Sequence, residues 1–216
     1  MANERIFMTN LEMKQYVVGP VSTNCYFVIN KTTKQLIIID PGDCAKQLIK
    51  KVEEGNYQLE AILLTHGHFD HVNAAKEVAD HFGVKIYAHE LEKETLETPE
   101  LNLSGWINDN KKYHADIFLK DEQEIDLAGF HIRVLFTPGH TVGGCSYFFP
   151  YEEVVFVGDT LFAGSTGRTD FVKGSQSALV RGIREKLMVL PDNTQVFPGH
   201  NEATTIETER MYNPYI

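Results

Sequence analysis

Residues 61–71 read Ala61-Ile62-Leu63-Leu64-Thr65-His66-Gly67-His68-Phe69-Asp70-His71. Ala61 to Leu64 is an apolar run of strand character, and it ends in a turn that carries four residues of metal-ligand type within six positions. Two apart in an extended turn, His66 and His68 project the same way, while Asp70 and His71 open the next helix and can face a neighbouring ion. A surface histidine cluster with Asp70 as a helix cap would use the same letters. Chance, however, yields His-x-His-x-Asp-His only about once in a thousand chains of this composition, so the spacing points to a metal site.

The same arrangement, an apolar strand closed by a ligand-type residue in a tight turn, recurs at Val134 to His140, at Val154 to Asp159 and at Val196 to His200. In α/β folds, ligand sites gather at the carboxyl ends of strands, where loops bring distant positions together. Seven side chains are thereby expected to converge: His66, His68, Asp70, His71, His140, Asp159 and His200. Further strand-like runs fall at Tyr16 to Val18, Cys25 to Ile29, Leu36 to Ile39, Val84 to Ala88, Ile117 to Leu119, His131 to Phe136, Cys145 to Phe149 and Thr194 to Phe197. Helical spacing marks Ala45 to Glu54, Val72 to Phe82 and about Ser177 to Val189. The pattern predicts one layered α/β domain over residues 1–216, with two sheets face to face and helices outside. Glu90 to Tyr113 reads as a polar, irregular excursion near the site.

Twenty Lys and Arg against thirty Asp and Glu leave a formal net charge of −10, which repels a phosphate backbone and argues against nucleic acid as a partner. No apolar run reaches the roughly 18 residues of a membrane span. The first dozen residues lack the basic start and apolar stretch of a secretory signal, which predicts a cytoplasmic location. Cys25, Cys44 and Cys145 form no Cys-x-x-Cys pair and are expected to be reduced thiols. His81, His89, His114 and His131 fit no ligand spacing and are expected on helix or strand surfaces.

With Thr23-Asn24-Cys25-Tyr26, Asp40-Pro41-Gly42, the His-x-His-x-Asp-His run, Pro138-Gly139-His140, Gly158-Asp159-Thr160 and Pro198-Gly199-His200, the chain resembles the metallo-β-lactamase superfamily. It is most similar there to the glyoxalase II-like, or hydroxyacylglutathione hydrolase-like, thioester hydrolases. The resemblance implies an αββα sandwich holding two metal ions. It assigns His66, His68 and His140 to the first ion and Asp70, His71 and His200 to the second, with Asp159 bridging. Full-length glyoxalase II continues into a helical region that helps bind glutathione. Here 16 residues follow His200, so the resemblance is to the short, one-domain members without that region.

A His-rich site with two carboxylates favours zinc while admitting iron or manganese. Two divalent ions, Asp70, Asp159 and a bridging hydroxide leave about one positive charge for an oxyanion, and such a pair brings a shared water to a pKa of about 7 or below. A thiolate, whose acid has a pKa of about 8.5, leaves without a strong general acid, so a small-molecule thioester is the expected substrate. Arg168 is a candidate to hold a substrate carboxylate, or else to pair with Asp170 and fix its loop. Trp106 and Phe69 are candidates to line a pocket. Where glyoxalase II-like enzymes carry a Lys-x-Tyr glutathione contact, this chain reads Arg168-Thr169-Asp170. Gly167 to Phe171 also resembles the one-iron persulfide dioxygenases, the nearest rival on the same fold. An RNA-processing nuclease would require a basic surface that the composition does not supply.

Overall fold

The computed structural model describes residues 10–216. Sheet one contains, in spatial and chain order, β1 (Leu11–Val18), β2 (Thr23–Asn30), β3 (Gln35–Ile39), β4 (Gln58–Leu63), β5 (Lys85–His89) and β6 (Ile117–Leu119). β1 to β3 are antiparallel, whereas β3 to β6 run parallel. The parallel pairs need crossovers. Helix α1 (Ala45–Glu54) carries the chain from β3 to β4, and α2 (Phe69–Val72) with α3 (Ala75–Phe82) carries it from β4 to β5. Between β5 and β6 lies α4 (Lys93–Glu97), flanked by 3₁₀ turns at Glu90–Glu92 and Ser104–Ile107.

Sheet two holds β7 (Glu124–Leu127), β8 (Phe130–Phe136), β9 (Cys145–Phe149) and β10 (Val154–Gly158). A two-stranded ribbon, β11 (Leu161–Phe162) and β12 (Ser165–Thr166), follows. Helix α5 (Gln176–Gly182) then crosses to β13 (Gln195–Pro198), which pairs parallel to β10. The edge strand β14 (Thr204–Thr205) and helix α6 (Ile206–Tyr212) complete the described chain.

Strand alternation sorts the apolar side chains into three cores. Cys25, Phe27, Ile29, Leu36 and Ile38 pack under Leu48 and Val52 of α1 and Val78 of α3. Their alternates Tyr26, Val28, Ile37 and Ile39 meet Ile132, Val134, Tyr147 and Phe156 between the sheets. On the far side Val155 and Val157 pack against Leu179, Ile183 and Leu187. The layers are therefore helix, sheet, sheet, helix, the expected αββα sandwich. β2 is buried along its whole length, and its middle, Cys25 to Ile29, is apolar at every position because both faces are covered.

Three elements differ from expectation. The helix expected over Val72 to Phe82 is broken at Asn73-Ala74, where the Ala74 N–H donates to Pro41 O at 3.0 Å instead of continuing the helical ladder. The long C-terminal helix begins one residue early, with Ser175 accepting from Ala178 N as its cap. Beyond Gly182 it widens into a π-helical turn, Ile183–Leu187, that keeps both of those side chains buried. Glu90 to Tyr113 is ordered by short helices instead of being irregular.

Candidate metal centre

All seven candidate ligands lie at the carboxyl ends of strands, and each sheet contributes. His66, His68, Asp70 and His71 follow β4 in sheet one. His140 follows β8, Asp159 follows β10 and His200 follows β13 in sheet two. Hydrogen bonds across the sheets fix these loops. Leu64 O accepts from Tyr147 OH at 2.8 Å and Thr65 O from Cys145 N at 2.9 Å. Pro198 O accepts from Tyr26 OH at 2.6 Å and Asn24 Nδ2 at 3.0 Å. Gly199 is required where it stands, because a Cβ there would collide with Asp159 Oδ1 and His71 Cε1.

The donor atoms of His66, His68 and His140 lie within 4.8 Å of one another, and so do those of Asp70, His71 and His200. Each trio takes members from both sheets. Asp159 stands between them, with Oδ2 3.5 Å from His140 Nε2 and 3.6 Å from His200 Nε2, and Oδ1 3.5 Å from His71 Nε2. Outer partners orient the rings. His140 Nδ1 donates to Arg168 O at 2.8 Å and His200 Nδ1 to Ser22 O at 3.3 Å. His71 Nδ1 donates to Asp40 Oδ2 at 2.9 Å. The Thr65 hydroxyl donates to Asp40 Oδ2 at 2.6 Å and so accepts from His66 Nδ1 at 3.1 Å. Every one of these bonds leaves an Nε2 atom aimed inward.

Whether such a site fits metal can be tested on its polar atoms. His66 Nε2, His71 Nε2 and Asp159 Oδ1 are buried and have no hydrogen-bond partner, an arrangement costly in a protein interior unless something else satisfies them. Imidazole nitrogens and carboxylate oxygens in this ratio suit divalent transition ions. The residues fit a dinuclear site. Asp40, His66 and His71 also cluster, but both Asp40 oxygens are already engaged by Thr65 and His71, so Asp40 supports ligands from outside.

Above the donors opens a cavity of about 580 Å³ with Val21, Phe69, Trp106, Phe162, Arg168 and Phe171 among its walls and His68, His140, Asp159, Asp70 and His200 at its floor. The sequence pattern that defines the Metallo-beta-lactamase superfamily matches residues 18–200. The chain belongs to this superfamily. A relative from Haemophilus influenzae named hydroxyacylglutathione hydrolase GloC is 40% identical, covering 85% of this chain and 88% of its own. The crystal structure of the BLEG-1 B3 metallo-beta-lactamase superposes with a TM-score of 0.90 at 39% identity, covering 94% of this chain and 99% of its own. TTHA1623 in a di-iron-bound form gives 0.83 at 33%, covering 94% and 100%. The protein is thus a metallo-hydrolase of the superfamily with a His-rich metal site.

The two trios differ in their protons. Burial, then the neighbouring imidazoles, holds His66 and His68 well below the ordinary histidine pKa, and burial lowers His140 against the pull of Asp159. Burial also opposes the charged form of His71, but Asp70, Asp159 and Asp40 outweigh it and carry His71 up to about 10. Asp70 is held ionised against burial by His71, His200 and Thr23. At pH 7 the metal-free trio of His66, His68 and His140 is therefore neutral, while His71 keeps a proton that an incoming ion must displace. Metal titration by calorimetry in buffers of different ionisation enthalpy is expected to show more protons released for the second ion than for the first, because Asp70 and Asp159 hold protons on His71 and His200. Acidifying from pH 8 to 6 should weaken that second ion more than the first.

Two buried carboxylates escaped the sequence reading. Asp40 was visible only as part of an Asp-Pro-Gly turn. Glu92, fully buried, accepts from Gly67 N at 2.8 Å and from the Thr141 hydroxyl at 3.1 Å, which ties the His66–His68 loop to the His140 loop. Burial raises Glu92 from 4.5 to about 7. A carboxyl raised in the folded state contributes stability below pH 4.5 that is lost as the pH rises through 7. Glu92→Gln keeps an acceptor without the charge, so urea unfolding of the metal-free variant should lose that slope and show a gain of roughly 1–3 kcal/mol over wild type at pH 8 relative to pH 4.5.

Among the other predicted residues, Arg168 lines the cavity with its guanidinium held by Asp170 at 2.8 and 2.7 Å and lying over the Phe171 ring. Trp106 and Phe69 both line the cavity. His89 is a correction: far from lying on a strand surface it is buried, stacked on Phe136 at 4.5 Å, where β5 turns into the first 3₁₀ segment. His81 and His131 pair with Glu53 and Asp126 toward solvent, and His114 is exposed. Cys25, Cys44 and Cys145 are free thiols, and no helix of the described residues is long and apolar enough to cross a membrane.

Proposed function

We propose that the protein is a dinuclear, zinc-dependent thioester hydrolase. The observation that carries this reading is the placement of two complete donor trios around one shared carboxylate, Asp159, beneath a cavity open to a small molecule. His66, His68 and His140 would hold one ion and Asp70, His71 and His200 the other. When bound, the pair supplies an ionised water and a Lewis acid for the carbonyl under attack. The chain's own part is to aim the imidazoles through Arg168 O, Ser22 O, Thr65 and Asp40, to keep His66, His68 and His140 neutral by burial, and to keep Asp70 ionised through His71, His200 and Thr23. Phe69, Trp106 and Phe171 exclude water from the walls.

Leaving-group chemistry favours a thioester over an amide. Apart from the metal-site residues themselves, the described cavity lining offers Ser165, Thr166, Asn201 and Arg168 as polar side chains, none a general acid near neutrality. A thiolate departs without one; an amine does not. The GloC relative supports the thioester reading, and the complete second trio sets it against a one-iron dioxygenase. The BLEG-1 likeness makes a β-lactam the competing substrate. Free thiols suit the cytoplasmic setting that this reading assumes.

The test is to strip the purified protein with chelator, return zinc, iron or manganese, and assay thioesters, a persulfide with oxygen uptake, and β-lactams. Thioester turnover restored by two equivalents of zinc is expected. Oxygen consumption with one iron, or β-lactam turnover without thioester turnover, would replace the proposal.

A further inference from the structure

Three of the large apolar side chains left exposed on the described surface, Val21 from the β1–β2 turn and the adjacent Trp106 and Ile107 from the 3₁₀ turn Ser104–Ile107, converge on the same cavity. Trp106 is 65% exposed, yet it packs edge-on to Phe171 at 5.6 Å. Phe171 in turn lies 5.1 Å from His68 and 5.5 Å from His140. An apolar wall thus begins directly beside the first donor trio and runs out to the rim. Exposed apolar surface gathered into one concavity marks a place where an apolar group is bound.

Charge points the same way. Arg168 is the one Lys or Arg among the described residues lining the cavity, and its Nε and one terminal nitrogen are both committed to Asp170. Glutathione presents two carboxylates, and buried or half-buried carboxylates need cationic partners. This wall offers neither carboxylate a free cation.

From this juxtaposition we propose that the preferred substrate is a thioester whose acyl group is aromatic or medium-chain aliphatic, seated against Trp106, Phe171, Ile107 and Val21, with a thiol half that is not glutathione. The proposal rests on the thioesterase reading. In the reaction, water's oxygen forms a bond to the acyl carbon and the carbon–sulfur bond breaks. The products are the apolar carboxylate, the free thiol and one proton, so no further reactant is needed.

The experiment uses the zinc-loaded protein and a series of acetyl, butanoyl, hexanoyl and phenylacetyl thioesters of one small uncharged thiol, with S-lactoylglutathione alongside. The expected kcat/KM rises about fourfold per added methylene up to hexanoyl and exceeds that for S-lactoylglutathione at least tenfold. Trp106→Ala and Phe171→Ala should each flatten the chain-length slope to below twofold. Because Trp106 is the single tryptophan of the chain, quenching of its fluorescence by non-hydrolysable thioethers of the same chain lengths reads the wall without catalysis, and affinity should rise with chain length there too. Thioester turnover with no slope, or with S-lactoylglutathione preferred, overturns this inference and leaves the thioesterase reading standing. No turnover of any thioester, with length-dependent quenching retained, overturns the thioesterase reading instead.

Discussion

Asp159→Ala is expected to lower kcat/KM for any substrate of this site by at least about three orders of magnitude, a loss near 4 kcal/mol of transition-state stabilisation. The physical reason is position. Its two oxygens reach toward His140, His200 and His71, so one carboxylate faces members of both trios. Removing it leaves the five converging imidazoles and a lone Asp70, with less negative charge to balance two divalent ions. Elemental analysis after dialysis should find fewer than two metals per chain, while circular dichroism keeps the wild-type spectrum, because Asp159 packs no core. A variant that kept both ions and wild-type turnover would remove the shared carboxylate from the proposed site.

Asp40→Ala is expected to weaken binding of the ion at Asp70, His71 and His200 by about 10- to 100-fold, the range for outer partners of metal-binding histidines. It should also cost the metal-free protein roughly 2–4 kcal/mol. The second figure follows from what is abandoned: Thr65 N at 2.8 Å, the Thr65 hydroxyl and His71 Nδ1, all buried donors that lose their acceptor together. His71 also loses one of the carboxylates that hold its proton, so its pKa must fall. Competition titrations with a chromophoric chelator give the affinity, and urea midpoints give the stability. Asp40→Asn, which retains one acceptor oxygen, should fall between Asp40→Ala and wild type in both measurements. If Asp40→Ala changed only stability, Asp40 would be a fold residue without influence on the metal site.

Much of this centre was legible in the sequence because the site obeys a local rule. Every ligand sits within a few residues of the end of an apolar strand, so each turn advertises itself without knowledge of its neighbours. Cores were legible for a similar reason: Cys25 to Ile29 and Leu36 to Ile39 are apolar at every position because both faces are covered. Asp40 was harder, since its meaning lies in His71, 31 residues away and across a helix and a strand that give no sign of the pairing. Glu92 sits in a stretch of charged residues that reads as a solvated surface, and only the folded chain reveals that it is sealed between two ligand loops. Strand β7, Glu-Ile-Asp-Leu, alternates polar and apolar side chains, but at four residues, half exposed and paired only with β8, it is too short to be read. The helix break at Ala74 depends on the Pro41 carbonyl, a partner far off in the chain.

That each donor trio draws on both sheets has a consequence for biosynthesis. A nascent chain whose first sheet has emerged from the ribosome carries His66, His68, Asp70 and His71, but the first trio closes only when the loop after β8 brings His140 and the second only when the loop after β13 brings His200. Capture of the full complement of ions is thereby postponed to a finished tertiary fold, which protects the half-made polypeptide from being trapped around a misplaced cation.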